Sequence, residues 1–178
     1  MITNGLEIKG NLFISNIEPK LTIKMVGEDK FRKSYTNRID KIESTIAAFT
    51  LYLVLKPNSF KYQNKNFYHF KDADKVWDSH DYTQESWPEG YMKSMGIKKN
   101  SNGYGDSIAV MTYMRYDEVE PWADSFNTVA NKNERGQTYE QFKTEKAEVL
   151  IDELEKKFPN IRDCIEAYYT SSPLSYRD

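Results

Sequence analysis

Few side chains in this sequence combine the types and the spacing that catalysis or metal binding requires. The histidines are His69 and His80, and Cys164 is the single cysteine. A structural zinc site needs four histidine, cysteine or carboxylate ligands, so these three residues do not form such a set by themselves. No histidine lies near Cys164 in sequence to activate its thiolate, which favours a buried or half-buried thiol. We therefore predict no catalytic residue and no metal site.

Two further stretches resemble ligand-binding motifs but lack essential positions. The acidic stretch 72–81 lacks the glycine and the final glutamate of a calcium-binding loop, so a solvated face is the better interpretation. Gly103 and Gly105 could suggest a phosphate-binding turn, but a dinucleotide fingerprint needs a third glycine and a following helix. A strand-like pattern follows instead, so we interpret 102–106 as the turn that leads into a strand. The sequence contains no self-sufficient catalytic set.

The charge balance argues against nucleic acid as a partner. The 178 residues include 25 lysines and arginines against 27 aspartates and glutamates, a net charge of -2. Domains that bind nucleic acid normally present a basic field, so we expect no nucleic acid partner. Aromatic residues make up 14% of the chain, with 13 tyrosines and 9 phenylalanines. These side chains either line a groove or interface, or lie on ordinary sheet surfaces.

The sequence also bears on where the protein works. A single cysteine permits no internal disulfide, which favours a reducing compartment. The first residues lack the basic and apolar regions of a signal peptide. The longest apolar run, 46–55, is far shorter than the ~20 residues that span a bilayer. We expect a cytoplasmic protein, either free or attached peripherally to a membrane.

Hydrophobic periodicity predicts several strands. Residues 46–55 are apolar on both faces, so this strand should lie inside a sheet. The run 12–14 has the same character and should also be covered on both faces. Further strands are predicted over 6–8, 67–70, 107–115 and 165–170.

Three helices are predicted, over 19–26, 30–42 and 138–158. The first begins with a proline and is closed by Gly27. The second should turn Phe31, Tyr35, Ile39 and Ile42 inward. The third should start with a capping box of Thr138 and Gln141 and turn five apolar residues inward: Phe142, Ala147, Leu150, Ile151 and Leu154.

The remaining segments have no clear period. Residues 71–102 are interpreted as irregular with one or two short helices, and 116–136 as a loop. Together, these elements predict a single α+β domain with a mixed, mainly antiparallel sheet packed by helices.

Three segments, in this order, carry a resemblance to a known family. They are NGLEIKGNLFISNIEP (4–19), STIAAFTLYL (44–53) and YTSSPLSYRD (169–178). They resemble passages in the middle of FAD-dependent phytoene desaturases, carotenoid isomerases and retinol saturases. The resemblance implies the fold of the substrate domain of amine-oxidase-like flavoproteins and spans essentially the whole chain.

The resemblance implies a part of such an enzyme rather than all of it. Residues 1–178 would be the substrate-binding fragment, with the FAD-binding segments absent at both ends. FAD would belong to the intact parent protein, and we expect none to bind this chain tightly. The substrate would be a polyprenoid or retinoid-like lipid that undergoes hydride transfer or isomerisation, and the fragment alone would be inactive. Its partner would be the missing FAD-binding domain.

The resemblance also implies site residues. In that family the middle domain forms the floor or roof of an apolar tunnel that leads to the flavin. Asn16 and Pro19 would lie nearest the cofactor. Five residues, chosen by their alternation along the predicted strands, are candidates for the wall of this tunnel and are equally compatible with an ordinary core: Phe49, Leu51, Met111, Tyr113 and Tyr168.

A second hypothesis is a stand-alone, non-catalytic binding or interaction domain without a flavin partner. The two hypotheses differ in what they expect near 12–14. The flavoprotein hypothesis expects an exposed apolar patch there, or a homodimer through the exposed sheet edge that covers it. The stand-alone hypothesis expects a well-packed monomer.

Overall fold

The computed structural model describes residues 7–42, 47–127 and 135–178. The chain divides into two compact units, Met1–Thr45 and Ile46–Asp178. None of the described helices combines the length and the apolar composition that crossing a bilayer requires.

The first unit contains helix α1, Pro19–Val26, and both of its ends have the predicted chemistry. Pro19 occupies the first turn, where its missing N–H is not needed. Gly27 follows with a φ of 104°, and its amide donates to the Ile23 carbonyl at 2.9 Å. Glycine adopts this backbone without a steric penalty. The prediction of a helix over 19–26 is confirmed.

The second predicted helix is shorter than expected. A single 3₁₀ turn covers Glu28–Lys30, Phe31 has an extended backbone, and helix α2 covers Lys33–Asp40. The extended residue interrupts the helical period on which the prediction over 30–42 depended. Of the four residues predicted to turn inward, Ile39 is buried, whereas Tyr35 and Ile42 are exposed.

The prediction of strands near the amino end is wrong. Residues 7–18 form neither helix nor strand, and residue 6 lies outside the described part of the chain. Leu12, Phe13 and Ile14 are 82%, 71% and 90% exposed, so nothing in the described structure covers this run. A strand is stable only when a neighbour pairs with it. The described strands pair with one another and leave 12–14 without a partner.

The second unit is an α+β fold with a five-stranded sheet. The strands pair in the spatial order β2-β3-β4-β1-β5, and every pairing is antiparallel. The α+β class is confirmed, but the sheet is not mixed, because no α-helix connects β2, β3 and β4 as a parallel crossover would. The strands are β1 (Ala47–Leu55), β2 (Phe67–Phe70), β3 (Gly90–Gly96), β4 (Ser107–Met114) and β5 (Ile165–Ser171).

The predicted positions of β1, β2, β4 and β5 are confirmed. Strand β1 lies between β4 and β5, which is the interior position that its apolar faces predicted. Ile46, the first residue of the prediction, lies outside the described residues. Asn102 and Gly103 have positive φ in the predicted turn that leads into β4.

Helix α3, Gln137–Lys157, packs on one face of this sheet, here called the covered face. Phe49 and Leu51 of β1 and Val110 of β4 are fully buried on it. Four of the helix residues predicted to turn inward are buried in the same cluster, and Phe142 packs against it. The buried residues are Ala147, Leu150, Ile151 and Leu154.

The predicted capping box is wrong, because the N-cap of α3 lies two residues before Thr138. Gly136 is the N-cap, and no side chain caps the helix. Thr138 therefore lies inside the first turn, where its hydroxyl accepts a hydrogen bond from the Trp122 indole at 3.3 Å. A capping box does form at Ser172 and Ser175, which start the unpredicted helix α4, Pro173–Arg177.

The segment predicted as irregular over 71–102 contains strand β3 as well as a 3₁₀ segment, Ala73–Asp78. Strand β3 was not predicted, because Lys93 occupies a core position on the covered face of the sheet. A lysine there breaks the apolar alternation by which strands are recognised. The segment predicted as a loop over 116–136 includes a 3₁₀ helix, Tyr116–Trp122, and residues 128–134 lie outside the described part.

Candidate functional site

The structure divides the five predicted wall residues between the two faces of the sheet. Phe49 and Leu51 are fully buried on the covered face, and Tyr168 packs against the same core. Met111 and Tyr113 point to the opposite face, where they are 40% and 46% exposed. The five residues therefore do not line one cavity, because successive residues along a strand point to opposite faces of the sheet.

The face opposite α3 is here called the open face and carries exposed aromatic and sulfur-containing side chains. Direct strand pairing aligns Tyr52 of β1 with Tyr169 of β5, and Met92 of β3 with both Tyr68 and Met111. Tyr68 and Tyr169 are each 66% exposed. A face of this composition would be covered in an ordinary two-layer domain.

A cleft of about 250 Å³ lies on the open face. Cross-strand neighbours build it, since Tyr113 pairs with Ala48 and Met111 pairs with Met92. Two of the predicted wall residues, Met111 and Tyr113, line it, whereas the other three do not. The side chains that shape it are Tyr68, Phe70, Ser79, Met92, Met111 and Tyr113.

Gly90 at the start of β3 permits the position of Phe70 in the cleft. A Cβ atom at Gly90 would meet the Phe70 ring at 2.6 Å and the His69 carbonyl at 2.8 Å. The pairing of Phe70 with Gly90 brings the two backbones close at the end of the β2-β3 ladder. A side chain at this position would push the aromatic ring out of the cleft.

Ser79 also lies at the wall of this cleft. It directly follows the 3₁₀ segment Ala73–Asp78, whose start is capped by the Asp72 carboxylate on the Asp74 amide at 2.9 Å. The serine is 4% exposed, and its hydroxyl has no hydrogen-bond partner among the described residues. Sequence reasoning missed Ser79, because a single serine after an acidic stretch carries no distinguishing pattern.

A second polar cluster joins three separate segments of the second unit. Lys146 of α3 contacts the Glu118 carboxylate at 2.6 Å, and Glu118 also accepts from the Tyr82 hydroxyl. The same hydroxyl accepts from the Arg115 amide at 2.7 Å. Burial raises the pKa of Tyr82 well above its ordinary value, and the hydrogen bond to Glu118 raises it further. The tyrosine therefore stays protonated and donates to the carboxylate.

This cluster lies beside a cleft of about 470 Å³ whose walls include Trp87, Trp122 and Phe142. The Lys146 ammonium is 4.4 Å from the centre of the Trp87 ring. Each charged group already has a partner, so the arrangement serves to tie α3 to the segment after β4. Its members are far apart in sequence, and no motif could have revealed them.

Lys93 is fully buried on the covered face. Its ammonium donates to the Gln63 side-chain oxygen at 2.9 Å and lies 4.4 Å and 4.5 Å from the ring centres of Phe158 and Phe67. Burial, with a contribution from Lys65, lowers the pKa of Lys93 to about 8. The aromatic rings and the amide partly replace the water that the charge has lost.

The residues expected nearest the flavin do not form a phosphate site. Asn16 is exposed in the irregular segment, and Pro19 begins α1. The Glu18 carboxylate already accepts from the Leu21 amide at 2.6 Å. The FAD pyrophosphate would meet a like charge at this helix end, so the helix end does not suit the phosphates of the cofactor. That Asn16 and Pro19 lie nearest the flavin stays a prediction.

Among the residues that the structure describes, no three histidine, cysteine or acidic side chains are grouped to hold a metal ion. His69 lies on β2 against the Tyr91 ring at 5.1 Å, and burial and then Lys157 lower the pKa of its imidazole. His80 is exposed in a loop. Cys164 is half-buried, as expected, and its thiol lies 3.4 Å from the Ser59 carbonyl.

No known protein family, curated protein or solved structure matches this chain at a significant level. Its function is therefore argued from the cleft on the open face together with the sequence resemblance.

Proposed function

We propose that this chain is the substrate-side domain of an FAD-dependent oxidoreductase that acts on a polyprenoid or retinoid-like lipid. The observation that carries the proposal is the apolar cleft on the open face, lined by Met111 and Tyr113. A long apolar substrate needs aromatic and aliphatic walls more than charged groups. A sheet with one face packed by a helix and one open apolar face suits the floor or roof of such a tunnel.

On this proposal FAD is held by an FAD-binding partner, since the helix end at Pro19 does not suit its phosphates. The flavin would supply the redox chemistry when bound. The residues of this chain bind the lipid, orient it and exclude water. Met92 and Met111 suit this role, because an unbranched thioether adapts to irregular apolar shapes.

The exposed run Leu12, Phe13 and Ile14 also supports the proposal. Contiguous exposed apolar side chains commonly mark a surface that another protein covers. On this proposal the covering protein is the FAD-binding domain, although 12–14 would meet it as an irregular segment rather than as a strand. A homodimer that covers 12–14 remains the alternative on this proposal.

Lipid binding tests the proposal directly. Farnesol, a small polyprenoid alcohol, should bind the purified chain saturably and quench its intrinsic fluorescence. Met111→Glu should weaken binding by about tenfold or more, because a buried charge would face the apolar ligand. Tyr169→Glu, on the same face but outside the cleft, should leave binding unchanged. Non-saturable binding, or equal effects of the two variants, would contradict the proposal.

The cofactor part of the proposal needs its own experiment. The purified chain is mixed with FAD, separated by gel filtration and examined for the flavin absorption spectrum. We expect no stoichiometric retention, because the proposal assigns the flavin to a partner. Retention of one FAD per chain would refute that assignment.

A stand-alone binding domain is the second candidate, and one observation favours it. All buried residues of the core cluster lie between positions 49 and 174, within the second unit. A domain with its own core could bind the same lipid without any flavin enzyme. Farnesol binding by a monomer that neither binds nor is activated by an FAD-binding polypeptide would favour this candidate.

A further inference from the structure

We propose that two copies of this chain associate through their open faces and form a symmetric dimer in which the two sheets pack face to face. The inference goes beyond the proposed function, because the dimer needs neither lipid nor flavin. Three observations support it: the open face has no charged strand residue, it exposes many aromatic side chains, and its area is sufficient for a weak interface.

The open face carries no charged side chain within the five described strands. These strands contain two charged residues, Lys93 and Glu166. Lys93 is fully buried on the covered face, and Glu166 lies two positions from Tyr168, which packs against the covered core. A twofold axis brings identical patches together, so a charged patch would meet its own sign. An uncharged face avoids this repulsion, whereas a charged partner would find no counter-charge on it.

The side chains on this face are those that protein interfaces favour. Tyrosine and methionine are enriched at interfaces relative to the rest of the surface. Tyr176 of α4 reaches the same face, where its hydroxyl shares a hydrogen bond with Thr50 at 2.7 Å. Six side chains of this face are between 40% and 66% exposed: Tyr52, Tyr68, Met111, Tyr113, Tyr169 and Tyr176. A second sheet packed about 10 Å away would remove them from water.

The area of the face is sufficient for a weak dimer. The strands have four to nine residues. With ~3.3 Å per residue and ~4.8 Å between strands, five such strands present a face of roughly 550 Å². Two faces together bury roughly 1,100 Å², which is in the range of weak, reversible complexes. We therefore expect a dissociation constant in the micromolar range.

Sedimentation equilibrium of the full chain without ligand tests the dimer. Tyr169→Glu should raise the dissociation constant by about tenfold or more, because its carboxylate would lose water inside the interface. Phe13→Glu is the matched control, since Phe13 is 71% exposed in the irregular segment outside the sheet, and it should leave the constant unchanged. Circular dichroism checks that both variants keep the wild-type fold.

A measurement on the wild type locates the interface without any variant. In NMR spectra of labelled methionine methyl groups, the Met92 and Met111 signals should shift as the chain concentration rises through the dissociation constant. The Met25 signal should not shift, because Met25 lies on α1 and is 69% exposed. A shift of Met25 alone, or a dimer broken by Phe13→Glu and not by Tyr169→Glu, would place the interface elsewhere and overturn the inference.

The remaining outcomes separate the dimer from the proposed function. Farnesol is titrated well below the dissociation constant, so its binding is measured on monomers. A chain that binds farnesol but stays monomeric at every concentration would overturn the dimer and leave the lipid cleft. A chain that dimerises through the open face without binding farnesol would support the dimer and contradict the proposed function.

Discussion

At the scale of single residues, the molecule keeps two lysines away from water in different ways. Lys146 meets the carboxylate of Glu118, so its positive charge is balanced. Lys93 has only an amide oxygen and aromatic rings around it. Desolvation therefore lowers the pKa of Lys93, whereas the charge of Lys146 is compensated.

The buried Lys93 should make stability depend on alkaline pH. Its folded pKa of about 8 is below the ordinary 10.5, so the unfolded chain binds more protons between these values and stability rises with pH there. Lys93→Met should raise the free energy of unfolding at pH 7 by about 1–3 kcal/mol, with a gain that shrinks towards pH 10. Thermal melts at several pH values measure both effects.

Lys99→Met is the matched control, because Lys99 is exposed. It should change neither the melting temperature nor its pH dependence. A Lys93→Met protein that is destabilised more at pH 7 than at pH 10 would show that the rings and Gln63 stabilise the charge more than burial opposes it.

The Glu118 cluster should behave as a buried ion pair. Glu118→Gln would leave the Lys146 ammonium without its counter-charge and should lower the free energy of unfolding by about 3 kcal/mol. Glu140→Gln is the comparison, because Glu140 is 65% exposed in its pair with Lys143 and should matter by less than about 1 kcal/mol. Chemical denaturation of the two variants measures the difference, and equal effects would contradict the assignment.

At the scale of elements, β3 is the strand on which the cleft depends. It pairs with β2 and β4 and contributes Met92 to the cleft. It also carries Lys93 on the covered face, so one strand serves the core and the cleft with alternate residues. Its first residue, Gly90, allows β2 to approach closely.

Gly90→Ala should therefore loosen the β2-β3 pair and lower the free energy of unfolding by about 1–3 kcal/mol. The new methyl group would meet a backbone carbonyl and an aromatic ring, neither of which can move freely. Gly105→Ala is the control, because its closest contact would be the flexible end of Met95 at 2.5 Å. Urea denaturation should show a clear loss for Gly90→Ala only; similar losses would contradict the role of Gly90.

At the scale of the whole molecule, the chain consists of two compact units, and the buried core cluster lies entirely in the second. The first unit has helices α1 and α2 with few buried side chains, Ile23 and Ile39 among them. Cooperative stability should therefore come from the second unit, because apolar burial dominates folding.

A chain that contains only residues 46–178 should fold alone. Circular dichroism should show a cooperative thermal transition within a few degrees of that of the full chain. A shorter chain that begins at residue 51 lacks the first half of β1 and should show no cooperative transition, because β1 is paired on both sides. An unfolded 46–178 chain would show that the first unit is required for stability.

The sequence alone determined the elements whose signals are local. Pro19 and Gly27 defined α1, and apolar runs located β1, β2, β4 and β5, because backbone geometry and two-faced burial leave their mark within a few residues. The α+β class followed from these elements. The flavoprotein family and its lipid substrate remain proposals that begin from the resemblance.

Only the tertiary structure decided which side chains meet. Strand pairing placed Phe49 and Met111 on opposite faces of the sheet. It also brought Met111 together with Met92, Tyr113 and Ser79 around one cleft. It also placed Lys93 in the core, which the local pattern argued against, and left 12–14 unpaired. Burial and pairing depend on partners distant in sequence, so no local pattern could have revealed these positions.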